Sequence, residues 1–257
     1  MTSAKIGEAK IGEAKIDEGI RSPDRAEPLL ELSGVRAGYG SIEVLHGVDL
    51  VLEPGAVVAL LGPNGGGKTS TLKICSGVLP VTRGEFRLAG QVVNGVEPSE
   101  LARLGVCSIP EGRGIFANLT VRENLWIATG TGVGLAELEE VAYSRFPILG
   151  ERRGQLAGSM SGGEQQMLAL SRALGTHPTV LLLDELSMGL APRIVSQMYD
   201  VVGSLAAEGI SILVAEQFAR AVLPIATSAA LMLQGRVVKT GDPLDIENEL
   251  STSYLGG

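Results

Sequence analysis

The run Ala56-Val57-Val58-Ala59-Leu60-Leu61 breaks into Gly62-Pro63-Asn64-Gly65-Gly66-Gly67-Lys68-Thr69 and continues toward Ser76. Six apolar residues in a row, without polar alternation, read as a strand buried on both faces, and Thr69 to Ser76 reads as a helix. The loop between them therefore sits at a helix N-terminus, where unpaired backbone N–H groups and the positive dipole end favour an anion. Glycines let the backbone approach phosphate oxygens without a side chain in the way. In this pattern Lys68 is placed to reach the β- and γ-phosphates of a nucleotide, and the Thr69 hydroxyl to ligate a Mg²⁺ that bridges them.

With 257 residues the chain is long enough for one sizeable α/β domain, or a core carrying a small inserted subdomain. A net charge of −8 and a pI near 4.9 lack the basic surface of a nucleic-acid-binding protein, so no nucleic-acid partner is expected. Hydrophobic residues make up 45% and the mean hydropathy is +0.26, yet no apolar stretch approaches the roughly 18 residues needed to span a bilayer. Work at a membrane would thus go through a partner. Cys75 and Cys107, on a helix and a buried strand without metal-ligand spacing, read as small core side chains. With no leader pattern at the start of the chain, this gives the reducing cytoplasm as the expected compartment.

Residues 4–18 repeat a five-residue unit, AKIGE, AKIGE, AKIDE. A period of five turns about 500° around a helix, so Ile6, Ile11 and Ile16 form no stripe, and residues 1–28 are expected to be a flexible low-complexity tail. Between Leu30 and Leu52 short apolar runs interrupted by Gly38-Tyr39-Gly40 read as antiparallel strands. Tyr39, an aromatic at a glycine turn, either stacks on a purine or packs at a strand end. Further on come strand-forming residues 84–93, a short helix near 99–104 and a strand at 105–109. That strand breaks at Pro110-Glu111-Gly112-Arg113-Gly114, the kind of glycine-rich charged loop where ligand contacts gather.

Thr120-Val121-Arg122-Glu123 has capping-box spacing and starts a helix, and Leu135–Phe146 reads as a second one, so residues 120–155 look like a helical subdomain. Ser159-Met160-Ser161-Gly162-Gly163-Glu164-Gln165-Gln166 reads as an N-cap with a glycine turn, leading into a helical run from Met167 to Leu174. Val180-Leu181-Leu182-Leu183 then ends in Asp184-Glu185, a strand that delivers one acid to hold Mg²⁺ and one to activate water. A helix over 193–207, a strand over 210–214 ending at Glu216-Gln217, another helix, and strands over 229–233 and 237–240 complete the order.

GPNGGGKT, MSGGEQQ, VLLLDE and Tyr39, in this order, resemble the Walker A, signature, Walker B and adenine-stacking elements of ATP-binding subunits of ABC transporters, and the likeness covers Leu29 to Gly257. Within that family PEGRGIF, the GLAP run at 189–192, AEQ at 215–217 and the terminal Tyr254-Leu255-Gly256 are most similar to the branched-chain amino-acid (high-affinity Leu/Ile/Val) subgroup. The resemblance implies an α/β fold. Its P-loop NTPase (RecA-like) core would carry an N-terminal antiparallel β lobe and an inserted helical subdomain at about 95–160, within a cassette over 29–257. ATP and Mg²⁺ would be held by Tyr39, the loop Gly62, Pro63, Asn64, Gly65, Gly66, Gly67, Lys68 and Thr69, and the adjoining Ser70. In a head-to-tail dimer, Ser161, Gly162, Gly163 and Glu164 would serve the partner's nucleotide. Thr69, Asp184 and Glu111 would face the metal, and Glu185, Gln217 and Glu111 the reaction.

Three positions depart from the family pattern: Glu111 stands where Gln is usual, Gln217 where His is usual, and Leu186 where Pro follows the catalytic Glu. The first two resemble changes within the branched-chain subgroup, and the third bears on the loop 187–190 expected at the dimer interface. Met160 replaces a Leu of the signature. The expected role is an ATPase subunit driving amino-acid import through integral-membrane permease subunits, peripheral to the cytoplasmic face of the membrane and served indirectly by a substrate-binding protein. A second ATP-binding subunit, identical or different, would complete it. A urea or amide importer ATPase is the nearest alternative, and a soluble non-transport ABC ATPase is disfavoured by the lack of a second cassette or long insertion.

Overall fold

The computed structural model describes residues 27–112 and 114–255; the repeat at 4–18, expected to be a tail, lies outside the described residues. In chain order the elements are β1 (Leu30–Tyr39), β2 (Ile42–Leu52), β3 (Val57–Leu61), α1 (Lys68–Cys75), β4 (Arg83–Leu88), β5 (Gln91–Val92), α2 (Pro98–Arg103) and β6 (Val106–Ile109). Then follow α3 (Val121–Ala128), α4 (Leu135–Arg145), α5 (Pro147–Glu151), α6 (Gly162–Leu174), β7 (Val180–Asp184), α7 (Pro192–Ala207) and β8 (Ser211–Glu216). The chain closes with α8 (Ala219–Val222), β9 (Ser228–Leu233), β10 (Arg236–Gly241) and α9 (Pro243–Leu255).

The strands form two sheets, an antiparallel one in the order β2-β1-β4-β5 and a six-stranded one in the order β10-β9-β3-β8-β7-β6. In the second sheet the five strands from β9 to β6 run parallel and β10 adds an antiparallel edge. In the first, β1 and β2 each carry an irregularity that keeps the apolar set on one face. Between the pairs Leu32↔Leu50 and Val35↔Val48 the strand β1 gains a residue, and β2 gains one before Arg36↔His46. Without these bulges the period of two would turn Val35 and Ala37 outward; with them Leu30, Leu32, Val35 and Ala37 are all buried.

Every residue of β3, β7 and β8 is buried, which is why these segments read as continuous apolar runs. Alternate side chains feed two cores. Ala59, Leu61, Leu181, Leu183, Ile212 and Val214 pack on the side of α6 and α7, whereas Val58, Leu60, Leu182 and Leu213 pack toward α1 and the antiparallel sheet. Val121 and Leu125 of α3, Ala142 of α4, Leu149 of α5 and Phe146 between the last two belong to the first of these cores.

Two helix starts show how local chemistry sets the boundaries. At α3 the Thr120 Oγ1 accepts from Glu123 N (3.2 Å) while Glu123 Oε2 accepts from Thr120 N (2.8 Å), the reciprocal box read from the sequence. At α6 the same device operates between Ser161 and Glu164, and the helix begins at Gly162, five residues before the expected Met167. Glycine costs little there, because first-turn amides have no intrahelical partner. The strand-rich piece expected over 84–93 is the hairpin of β4 and β5, and α9 was not anticipated. Cys75 is fully buried and burial pushes its thiol up to about 12, while Cys107 is only half-buried.

Thr120→Ala removes one half of the α3 box and is expected to destabilise the fold by about 1 kcal/mol, a fall of about 2–4 °C in Tm. Trp126→Ala on the same helix, where the side chain is 61% exposed, should stay within about 0.5 kcal/mol of wild type. Thermal denaturation of the two variants beside wild type checks the contrast.

Candidate functional site

Parallel register brings four chain exits to one edge of the six-stranded sheet. Leu61 pairs with Glu216, Asp184 with Ala215, and Ile109 with Leu183. Consequently Gly62, Gln217, Glu185 and Pro110 leave the sheet side by side, at the carboxyl ends where open α/β sheets bind ligands.

The loop after β3 lies tight against β9. A Cβ on Gly62 would stand 2.1 Å from the Met232 carbonyl oxygen, so only glycine fits. Gly66 N donates to Pro63 O (3.1 Å) and Gly66 O accepts from Gly235 N (2.8 Å), closing the loop on the sheet. Pro63 is half-buried, and Asn64 and Gly65 form the exposed tip. Gly67 precedes α1 at φ +110 and provides no side-chain cap, so the first amides of α1 are available to an outside acceptor.

Lys68, only 4% exposed, donates from Nζ to Gly62 O (2.9 Å) and Pro63 O (3.3 Å) and stands 3.0 Å from Glu185 Oε1. Thr69 Oγ1 donates to Asp184 Oδ1 at 3.2 Å. Burial above all holds the Asp184 carboxyl above the usual range; Glu185 and Glu111 add to this, and the Thr69 bond and Lys68 oppose it. Glu111 is exposed at the end of β6 and, with Thr69, Lys73, Cys107 and Asp184, lines a cavity of about 580 Å³. Among the described residues no group of three or more His, Cys, Asp or Glu is placed to hold a metal unaided. The oxygens of Thr69 and Asp184 instead suit a hard cation that completes its shell with phosphate and water.

Glu185 has φ +50, an uncommon conformation for a side-chain-bearing residue, and its amide donates to Ala215 O at 2.9 Å. Gln217 is half-buried; the N-cap of α8 is Phe218 and no side chain caps that helix, so Gln217 does not serve as its cap. Tyr39, 46% exposed, lies alongside α1, with Lys73 Nζ 5.5 Å from its ring centroid and its hydroxyl 3.4 Å from Ser70 Oγ. Contacts and strand register thus bring the 62–69 loop, Asp184, Glu185 and the strand exits at Glu111 and Gln217 to one edge of the sheet, with Ser70 of α1 and Tyr39 alongside. Ser161, Gly162, Gly163 and Glu164 lie elsewhere, at the start of α6. Their interactions stay local: the capping box, and Glu164 Oε1 at 2.9 Å from Arg152.

Sequence reasoning gave no role to three residues that shape this site. Met232 supplies the carbonyl under the glycine loop. Gln166, on α6 and 4% exposed, donates from Nε2 to Leu186 O at 3.2 Å, just beyond Glu185, and Leu186 itself is buried. Glu216, fully buried, accepts from Ser187 N, Ser187 Oγ and the Tyr199 hydroxyl. The one available signal was a carboxylate directly after the apolar run Ile212–Ala215.

The family model described as ABC transporter matches residues 45–187. The chain is 38% identical over 234 residues to a high-affinity branched-chain amino acid transport ATP-binding protein, BraG, of Pseudomonas aeruginosa, covering 89% of this chain and 100% of that one. It is 35% identical over 217 residues to a probable branched-chain amino acid transport ATP-binding protein, LivF, of Archaeoglobus fulgidus, covering 83% and 92%. The solved ADP conformation of an ATP-binding cassette of an ABC transporter superposes with a TM-score of 0.76 at 26% identity, covering 88% of this chain and 96% of that one. No helix among the described residues is long and apolar enough to cross a membrane. The chain belongs to the ABC transporter family, as a nucleotide-binding subunit that hydrolyses ATP.

Proposed function

We propose that this subunit powers import of branched-chain or related amino acids. It would bind integral-membrane permease subunits at the cytoplasmic face, with a substrate-binding protein upstream and a second ATP-binding subunit completing its sites. The observation that carries the ATPase part is the pairing of Lys68 with Glu185 and of Thr69 with Asp184 at one sheet edge. The cargo reading is supported by near-full-length similarity to proteins named for branched-chain amino acid transport. Within the proposed cassette, the 95–160 region exposes Trp126 on α3 and Phe116 in the loop before it, apolar surface suited to a permease contact.

In this reading the nucleotide lies with its phosphates over the 62–69 loop and its base on Tyr39. Lys68 meets the terminal phosphates, which compete with Glu185 for its ammonium. Thr69 and Asp184 would hold Mg²⁺, which would supply neutralisation of the charge on the phosphates. Glu185 then accepts a proton from the water that attacks the γ-phosphorus, as the bond to the β-phosphate oxygen breaks and ADP leaves. Glu111 and Gln217 flank that position, Gln217 donating from its amide to a γ-phosphate oxygen. Ser161, Gly162, Gly163 and Glu164 would meet the nucleotide of the second subunit through the amides that open α6.

Affinity purification of the subunit from detergent-solubilised membranes, followed by uptake assays in vesicles of the recovered assembly, tests the reading as a whole. Recovery of permease subunits and ATP-dependent uptake of leucine, isoleucine or valine is the expected result; uptake of urea or short amides alone would reassign the cargo. Glu185→Gln should retain ATP binding and abolish steady-state hydrolysis, since an amide cannot accept the water's proton. Tyr39→Ala should weaken ATP affinity by about 1–2 kcal/mol while Tyr39→Phe keeps the stack; equal titration calorimetry constants for both would return Tyr39 to a packing role. Gln217→Ala should lower turnover by about 10- to 150-fold, the scale of a hydrogen bond to a charged oxygen. Gln217→His restores a donor and should recover most of that rate.

A further inference from the structure

The carboxylate of Glu216 ends β8 with no solvent exposure and has three donors around it. Oε1 accepts from Ser187 N at 2.9 Å and from the Tyr199 hydroxyl at 2.5 Å, and Oε2 accepts from Ser187 Oγ at 2.8 Å. Tyr199, on α7, is itself only 3% exposed. An ionised acid is costly to bury, and burial does push the Glu216 carboxyl upward, against the pull of Tyr199 and Ser187. A residue kept at that cost needs a reason beyond filling space, since an apolar side chain would fill it with less penalty.

The reason lies just past the end of the neighbouring strand β7, whose last residue, Asp184, pairs with Ala215. Glu185 sits at φ +50, a strained conformation for a side-chain-bearing residue that persists only where the surroundings impose it. Its own amide is bound by Ala215 O, the residue before Glu216, and Ser187 on its other side is bound twice by Glu216. The end of β8 therefore grips the chain on both sides of Glu185. From α6, Gln166 adds a bond to Leu186 O, and Met188 N closes the turn on Glu185 O.

We propose that Glu216 is a positioning residue for ATP hydrolysis, holding the turn after β7 through Ser187 and Tyr199 so that the Glu185 carboxylate meets the attacking water. This rests on the reading of Glu185 as the proton acceptor. Hydrogen-bond acceptance by Glu216, and not its charge as such, carries the effect. A glutamine can reproduce it, accepting at Oε1 from Tyr199 and Ser187 N and donating from Nε2 to Ser187 Oγ.

The test compares wild type, Glu216→Ala, Glu216→Gln, Ser187→Ala and the double variant Glu216→Ala/Ser187→Ala in steady-state ATPase assays, with thermal denaturation on the same preparations. Displacement of a catalytic group by about an ångström costs up to about 100-fold, so Glu216→Ala should lose about 10- to 100-fold in kcat with KM for ATP within about twofold. Glu216→Gln should return to within about threefold of wild type. Ser187→Ala should lose about threefold, and the double variant no more than Glu216→Ala alone, because both act through one contact. Unchanged kcat per folded molecule in Glu216→Gln and Ser187→Ala, together with either a normal kcat in Glu216→Ala or its failure to fold, would overturn the proposal and leave Glu216 a core residue. A Glu216→Gln variant as slow as Glu216→Ala would overturn it as well. Wild type that binds ATP without hydrolysing it would instead remove the reading of Glu185 on which the proposal stands.

Discussion

A parallel sheet buried on both faces constrains everything else in this molecule. Backbone hydrogen bonds satisfy β3, β7 and β8 laterally, and apolar side chains above and below exclude water, so no polar group can sit along these strands without a partner. Polar chemistry is thereby pushed to the strand ends. Because the strands run the same way, their ends coincide, and Gly62, Asp184, Glu185, Glu216 and Gln217 become neighbours although up to 155 positions separate them in the chain. The two cores on either side of the sheet fix its height relative to α1 and α6, and through them the loop and the signature turn.

Lys68 illustrates how the edge works. A nearly inaccessible ammonium is tolerated because two loop carbonyls and Glu185 surround it. Those same carbonyls belong to Gly62 and Pro63, whose path is set by the Met232 backbone. The cation's position is thus inherited from the sheet through the loop, with little left to side-chain rotamers.

Much of this was legible from local pattern. VVALL and VLLL are short apolar runs, the one followed at once by a glycine loop and the other by two acids, so strand, direction and exit could be read together with Lys68, Thr69, Asp184 and Glu185. Thr120 and Glu123 announced their helix through spacing alone. The start of α6 was read too late because Gly162-Gly163 looks hostile to helix, while the first turn, capped by Ser161 and Glu164, does not demand intrahelical bonds from them. The helix α9 escaped because its sequence, PLDIENELSTSYL, offers little apolar periodicity, with Ile246 the one core side chain among its described positions. Glu216 was visible only as an acid at a strand end, which usually means water; its donors come from positions 17 and 29 residues away, a juxtaposition that spacing cannot express.

The charge distribution at the sheet edge has a consequence for what the subunit selects. Asp184, Glu185 and Glu111 converge there against the ammoniums of Lys68 and Lys73, in a chain already at −8. A bare polyphosphate approaching this rim meets more negative charge than positive, and its own four charges raise the barrier further. The same polyphosphate chelated to a divalent cation arrives with half that charge neutralised, and Asp184 with Thr69 has oxygens to offer it. In the proposed reading the edge would favour the chelate over the free nucleotide, so the working fuel concentration of the subunit would follow the fraction of cellular ATP that carries a cation.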